Sequence, residues 1–221
     1  MLETLNPEQK KAVTSEDGCL LVLAGAGSGK TRVLTTRIAH LLMDRGVAPY
    51  RVLAFTFTNK AAKEMRLRIE GHLRSAATEC WVGTFHATGV RILRRECTHL
   101  GWDRNFAIYD TADSEAVFKD LLSTRTLPRH VSLNEIRSSV SNWKNAQVDP
   151  RAAVAAATDN VESTIAELYG QYDKILRRNN AFDFDDLVAR PVQLFDQDAA
   201  ILQRYAQRFE YVLVDEFQDT N

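Results

Sequence analysis

Four short apolar runs punctuate the chain: Cys19–Leu23, Arg51–Thr58, Cys80–Phe85 and Tyr211–Val214. Runs of this length, bounded by polar or glycine-rich residues, predict buried parallel strands. Helical spacing takes over after the first two. Val33, Leu34, Ile38, Leu41 and Leu42 fall on one helix face, and Ala62, Met65, Ile69 and Leu73 on another. Asn6 is placed to cap an early helix that Pro7 begins, and Asn59 to cap the helix after the second run. Strand alternating with helix predicts an α/β domain built on a parallel sheet.

From about Ala87 to Asp198 the strand pattern disappears. Asp110 or Thr111 caps a helix through Val117, Phe118 and Leu121, and Ser132-Leu133-Asn134-Glu135 is a capping box for a helix with Ile136, Val140 and Trp143 on one face. Asp149-Pro150 starts an alanine-rich helix, and Ile165, Leu168, Tyr169, Tyr172, Ile175 and Leu176 mark a long amphipathic one. An all-helical subdomain at 87–198 is therefore expected, inserted into an α/β domain made of 1–86 with 199–221. At helical spacing, Trp143, Tyr169 and Tyr172 are read as core and not as platforms for bases. Asp183-Phe184-Asp185-Asp186-Leu187 holds three carboxylates, which an N-cap at Asp183 and an acidic first turn explain without a metal. Pro191 is expected to kink or end the helix that follows.

Composition bounds the partners. The 221 residues are 45% hydrophobic and 26% charged with a formal net charge of −1, so any nucleic-acid contact depends on local groups and not on a global basic field. Cys19, Cys80 and Cys97 lack metal-ligand spacing and read as reduced core thiols. No signal peptide is apparent, and no apolar run approaches the roughly 20 residues needed to span a bilayer. A cytoplasmic protein without membrane contact is expected.

The chemistry concentrates at the strand ends. Ala24-Gly25-Ala26-Gly27-Ser28-Gly29-Lys30-Thr31 follows the first apolar run and opens a helix. Glycines at 25, 27 and 29 let backbone N–H groups close around a phosphate chain that side chains would obstruct. Lys30 brings a cation to the terminal phosphates, the Thr31 hydroxyl suits Mg²⁺, and the helix N-terminus adds its positive dipole end. This is a phosphate-binding P-loop, with Ala24 where the strict pattern has glycine. Thr58, Asn59 and Lys60, after the second strand, offer hydroxyl, amide and ammonium groups suited to phosphodiester oxygens. For Lys63, Arg66 and Arg68 a solvated helix face is the favoured reading. His86, beside neither nucleophile nor carboxylate, is read as a packing or contact residue and not as a base. The last strand ends in Asp215-Glu216, where Asp215 can hold Mg²⁺ and Glu216 can orient and deprotonate an attacking water. Together with the P-loop, this pair makes nucleotide hydrolysis the leading hypothesis.

Taken in order, these motifs resemble those of the superfamily 1 DNA helicases of the UvrD/Rep/PcrA type. Leu5-Asn6-Pro7-Glu8-Gln9 is similar to the family's adenine-reading motif, Ala24 to Thr31 to motif I, and Thr56-Phe57-Thr58-Asn59-Lys60-Ala61-Ala62 to motif Ia. Gly83-Thr84-Phe85-His86 is similar to the next DNA-contact motif, Asp183 to Leu187 to the motif near the end of the inserted subdomain, and Asp215 to Asn221 to motif II. The resemblance implies a RecA-like P-loop domain that binds Mg-ATP. In it Gln9 reads adenine, Arg32 lies against its face, and Lys30 contacts the terminal phosphates. Thr31 and Asp215 hold Mg²⁺, Glu216 activates water, and Gln218 senses the γ-phosphate. Phe57, Thr58, Asn59 and Lys60, with Thr84, Phe85 and His86, contact single-stranded DNA, as at single/double-strand junctions.

The sequence ends directly after motif II, and by resemblance the family's motifs III to VI and second motor domain are expected to lie outside it. The expectation is the N-terminal ATP-binding portion of a 3′-to-5′ helicase or translocase that does not unwind DNA alone. A non-hydrolysing module for single-stranded DNA or a partner, and the motor half of a RecB- or AddA-type helicase-nuclease, are the alternatives.

Overall fold

A computed structural model of the chain describes residues 2–16, 18–73, 79–123 and 131–220. The side chain of Leu73 and all of Asn221 lie outside the described residues. The chain divides into two compact units, residues 1–88 with 203–221 and residues 89–202.

In the first unit, α1 (Pro7–Thr14) and α2 (Lys30–Met43) precede β1 (Val52–Thr56), α3 (Asn59–Leu73) and β2 (Trp81–Thr84). After α4 (Phe85–Glu96) leads away into the second unit, the chain comes back for its last strand, which is numbered β5 below. α1 starts as its sequence dictates, with Pro7 at its first position and the Asn6 side chain accepting from the Gln9 N–H at 2.8 Å. α3 is capped differently from the expectation at Asn59. The Thr58 hydroxyl accepts from the Ala61 N–H at 3.1 Å, and Asn59 is already helical, so the cap lies one residue earlier. Threonine serves because its oxygen lies the right number of bonds from the backbone to reach that donor.

The second unit contains β3 (Ala107–Tyr109), α5 (Thr111–Ser123), α6 (Leu133–Asn145), α7 (Pro150–Ala156), α8 (Asn160–Arg178), β4 (Ala181–Asp183) and α9 (Asp186–Gln197). The helix α10 (Ala199–Arg208) then leads to β5 (Tyr211–Val214) in the first unit. A sheet of order β2-β1-β5 results, parallel throughout, with Leu53 opposite both Trp81 and Val212. Ile38, Val52, Ala54, Met65, Ile69 and Cys80 form its core. Burial pushes the Cys80 thiol up to about 11, consistent with an inert core position.

Two expectations about this unit need correction. Cys19–Leu23 is not part of the sheet among the described residues, and its leucines are exposed, Leu23 at 85%. The run pairs with neither of the outer strands, β2 or β5, and so lacks the ladder that holds a buried parallel strand. Cys19 is accordingly exposed, whereas Cys80 and Cys97 are buried as core thiols.

The second unit is helical around α8, whose Ile165, Leu168, Tyr169, Tyr172 and Leu176 join Phe118, Ile136 and Val140 in one core. The capping box at Ser132 and Glu135 forms, as does the Asp149 cap, and Asp110 rather than Thr111 closes the start of α5. The unit is not all-helical: β3 and β4 pair in parallel, Ala107 with Ala181 and Tyr109 with Asp183. Strands of three residues are too short to carry a readable period.

The carboxylates at 183–186 do more than cap α9. Asp183 accepts from the Asp186 N–H at 2.9 Å, but its other oxygen accepts from the Lys144 ammonium at 2.7 Å and from the Tyr172 hydroxyl at 2.8 Å. Asp186, only 1% exposed, pairs with Lys144 at 3.0 Å and Arg190 at 2.9 Å, and Arg190 also pairs with Asp173. Burial would raise both carboxyls. It does so for Asp183, helped by the nearby Asp186 charge, whereas Lys144 and Arg190 hold Asp186 below the usual range.

Pro191 does not end α9, which continues to Gln197. Its missing N–H would have bonded the Leu187 carbonyl four residues back. The vacated carbonyl is where Gly89 of α4 packs, so close that a Cβ on Gly89 would stand 1.7 Å from the Leu187 oxygen. Backbone cannot yield as a flexible side chain can. Gly89→Ala should therefore lower unfolding free energy in urea by about 1–3 kcal/mol or more. Lys144→Met should cost about 3–5 kcal/mol at neutral pH, because Asp183 remains buried without a cation and Asp186 keeps only Arg190. In the wild type, Asp186 contributes stability above about pH 4 and loses it as pH falls through its depressed native value. In the variant the carboxyls deprived of Lys144 protonate more readily in the folded state, so the gap between the two proteins should narrow on acidification.

Candidate nucleotide and nucleic-acid site

Parallel pairing sends the ends of β1, β2 and β5 to one edge, with Thr56 opposite Thr84 and Phe55 opposite Val214. The segments Phe57–Lys60, Phe85–His86 and Asp215–Gln218 all begin there. The phosphate loop reaches the same place through α2. Gly27 and Gly29 have φ of 74° and 88°, the left-handed region that glycine enters without strain. Gly29 caps α2 with no side-chain bond, leaving the first-turn N–H groups of the helix open. The Ser28 hydroxyl donates to the Gly25 carbonyl at 2.7 Å and stiffens the loop.

Thr31 Oγ1 lies 3.2 Å from Asp215 Oδ2, so the hydroxyl at the start of α2 and the carboxylate at the end of β5 meet across 184 positions of sequence. Asp215 is 8% exposed, and its N–H donates to the Phe55 carbonyl at 2.9 Å, which continues the ladder one residue beyond β5. Glu216 then takes φ 53° and ψ 49°, a left-handed conformation that costs a non-glycine residue about 1 kcal/mol or more. The Gln218 amide donates to Glu216 at 2.6 Å. The Lys30 ammonium rests on its own loop, donating to the carbonyls of Ala24 at 3.2 Å and Gly25 at 3.4 Å.

Gln9 takes part in a reciprocal capping box, accepting from the Asn6 N–H at 3.1 Å, and its amide donates to the Ser28 carbonyl at 2.9 Å. A glutamine amide has two lone pairs and two N–H donors, so one acceptor site and one donor remain. Arg32 is held at the N-terminal turn, where it donates to the Thr4 hydroxyl at 2.7 Å and the Thr4 carbonyl at 3.0 Å. The Asn6-x-x-Gln9 spacing could have revealed the capping box; no local signal pointed to Thr4.

Along the edge, Phe57, Thr58, Asn59, Lys60 and His86 are exposed, whereas Thr84 is buried and its hydroxyl accepts from the Ala87 N–H at 3.1 Å to cap α4. Phe85 stacks on Phe55 with centroids 4.4 Å apart and meets Phe57 edge-on at 6.1 Å. An aromatic cluster thus borders the exposed polar groups.

A glycine loop at an open helix N-terminus, set against a strand-end carboxylate at the edge of a parallel sheet, defines an α/β domain of the RecA-like P-loop type. Residues 5–221 match the UvrD/REP helicase N-terminal domain, and the chain belongs to that family. It is 45% identical over 222 residues to the ATP-dependent DNA helicase PcrA of Bacillus subtilis (strain 168). It is 44% identical to the proteins of the same name in Staphylococcus aureus (strain Mu50 / ATCC 700699) and Staphylococcus epidermidis (strain ATCC 35984). Each comparison covers 100% of this chain, which spans 30% of the length of these curated relatives. No helix among the described residues is long and apolar enough to cross a membrane.

Proposed function

We propose that this chain is the Mg-ATP- and single-stranded-DNA-binding part of a 3′-to-5′ DNA helicase, with residues 87–198 as a subdomain inserted in its motor domain. The observation that carries the reading is the 3.2 Å approach of Thr31 to Asp215. A hydroxyl and a carboxylate side by side are the hard oxygen ligands that suit Mg²⁺, which usually completes its shell with waters and phosphate oxygens. Bound there, the ion would offset charge on the β- and γ-phosphates.

The chain's own groups supply the remainder. The open first-turn N–H groups of α2, from Lys30 on, donate to phosphate oxygens, with Ala24 to Gly29 forming the walls of the cradle. Lys30 exchanges its two long bonds to loop carbonyls for the terminal phosphate, a stronger acceptor. Gln9 offers its spare donor and acceptor to the adenine edge, and Arg32, steadied by Thr4, lies against the base. Glu216 orients a water for in-line attack and takes its proton, while Gln218, bonded to Glu216, relays the state of the γ-phosphate. Arginines that stabilise the transferring phosphoryl belong, by resemblance, to a second motor domain. Loss of such arginines lowers turnover by about 10³- to 10⁵-fold.

For DNA, Thr58, Asn59, Lys60 and His86 present groups for phosphates, and Phe57 and Phe85 present ring faces and edges, a combination that grips single strands without reading sequence. Lys30→Ala should abolish binding of a fluorescent ATP analogue in the presence of Mg²⁺. Wild-type protein that ignores millimolar ATP, or a variant that binds as well as the wild type, would overturn the nucleotide site. Phe57→Ala should weaken oligo(dT) binding by about 1–3 kcal/mol. Unchanged DNA affinity in that variant removes Phe57 from the track.

A further inference from the structure

We infer that Arg37 is a positioning residue for adenine recognition, clamping the C-terminal end of α1 to α2 so that Gln9 is held beside the phosphate loop. The inference rests on the adenine reading of Gln9 proposed above. Arg37 lies on α2 seven residues after Lys30, about two helical turns along. One of its guanidinium nitrogens, Nη1, shares its two N–H groups among the carbonyls of Ala12 at 3.2 Å, Val13 at 3.0 Å and Ser15 at 3.1 Å. These carbonyls close α1, where the last turn has no intrahelical donors and carries the negative end of the helix dipole. A cation with fixed N–H directions meets both requirements at once.

The clamp matters because α1 has only eight residues. A helix that short does not persist in water by itself and depends on tertiary contacts for its existence and its placement. Apart from the Arg37 bonds, α1 is anchored by the fully buried Val13 and, near its other end, by the Gln9 bond to the Ser28 carbonyl. Gln9 is close to the loop as well: a Cβ on Gly29 would stand 3.2 Å from its amide nitrogen. Gln9 therefore spans the junction between α1 and the phosphate loop. Its free donor and acceptor face a base correctly only while α1 keeps its position on α2, and an error of about 1 Å in such a group is enough to lose productive contact. Arg37 itself acts through the backbone of α1, not on the nucleotide.

The test compares affinities of the chain for Mg-ATP, Mg-GTP and inorganic tripolyphosphate in wild type, Arg37→Ala, Arg37→Lys and Gln9→Ala. In Arg37→Ala, ATP affinity should fall about tenfold and the preference for ATP over GTP should vanish, while tripolyphosphate stays within about twofold. Gln9→Ala should show the same pattern, and Arg37→Lys should recover part of the preference because an ammonium reaches fewer of the carbonyls. Amide hydrogen exchange should speed up at Glu8 to Val13 in Arg37→Ala without change in α2. Retained ATP-over-GTP preference in Arg37→Ala would overturn the proposal, as would tripolyphosphate affinity falling in step with ATP, which marks a general loss of the loop. If Arg37→Ala does not fold, Arg37→Lys decides by the same ratios, an unaltered preference with faster exchange in α1 counting against the proposal. Wild type that binds tripolyphosphate but does not distinguish ATP from GTP removes the adenine reading itself, before any variant is considered.

Discussion

Parallel strands leave a sheet on one side, and that constraint assembles the candidate functional groups that follow the three strands of the first unit. With β1 flanked by β2 and β5 in matched register, the residues that follow the three strands have nowhere else to go. Thr58 and its neighbours, Phe85 with His86, and Asp215 with Glu216 share an edge because their strands share a direction. The phosphate loop, with α1 and α2 beside it, comes to the edge by another route, and the contact between Thr31 and Asp215 is where the two routes join. Had β5 run antiparallel, its carboxylates would stand at the opposite end of the sheet, a strand length from the loop.

The molecule treats its helix ends in two ways. α1, α6, α7 and α8 are closed by Asn6, Ser132, Asp149 and Asp159, whose side chains accept from first-turn N–H groups. α2 begins on Gly29 without such a bond. A capping side chain there would stabilise the helix by about 1 kcal/mol and would occupy the space that an anion needs. The open end is tolerated because α2 is held by burial of Val33, Ile38, Ala39 and Leu41 and by the Arg37 bonds to α1. Stability is supplied along the helix so that its first turn can stay available. In the second unit charge is handled the other way: Lys144, Asp183, Asp186 and Arg190 are sealed in with mutual bonds, an arrangement that fixes α6, β4 and α9 to one another and makes removal of any one partner costly.

Much of the fold was legible. The strands at Val52–Thr56, Trp81–Thr84 and Tyr211–Val214, the cap at Asn6, the capping box at Ser132 and the buried face of α8 all follow from patterns contained within a few residues. The failures have a common cause. Cys19–Leu23 has strand composition, yet strand formation depends on pairing, and among the described residues the run pairs with no strand. Asp183, Asp185 and Asp186 look like a solvated helix start until Lys144, 39 positions earlier, arrives beside two of them. β3 and β4 are too short to declare themselves, and α9 runs on past Pro191 to Gln197.

By itself, then, the sequence determined where the candidate phosphate-binding groups lie and which residue types they are, because glycine spacing, a Lys-Thr pair and a strand ending in Asp-Glu are patterns of covalent neighbours. Tertiary structure alone decided what those groups can reach. It set Thr31 against Asp215, gave Gln9 its bond to Ser28, tied Arg32 to Thr4 and closed α1 with Arg37. Each of those contacts joins segments well apart in the chain, where the entropy of ordering is recovered only once sheet and helices have packed together. No local pattern records such a pairing, since neither partner's neighbours are altered by it.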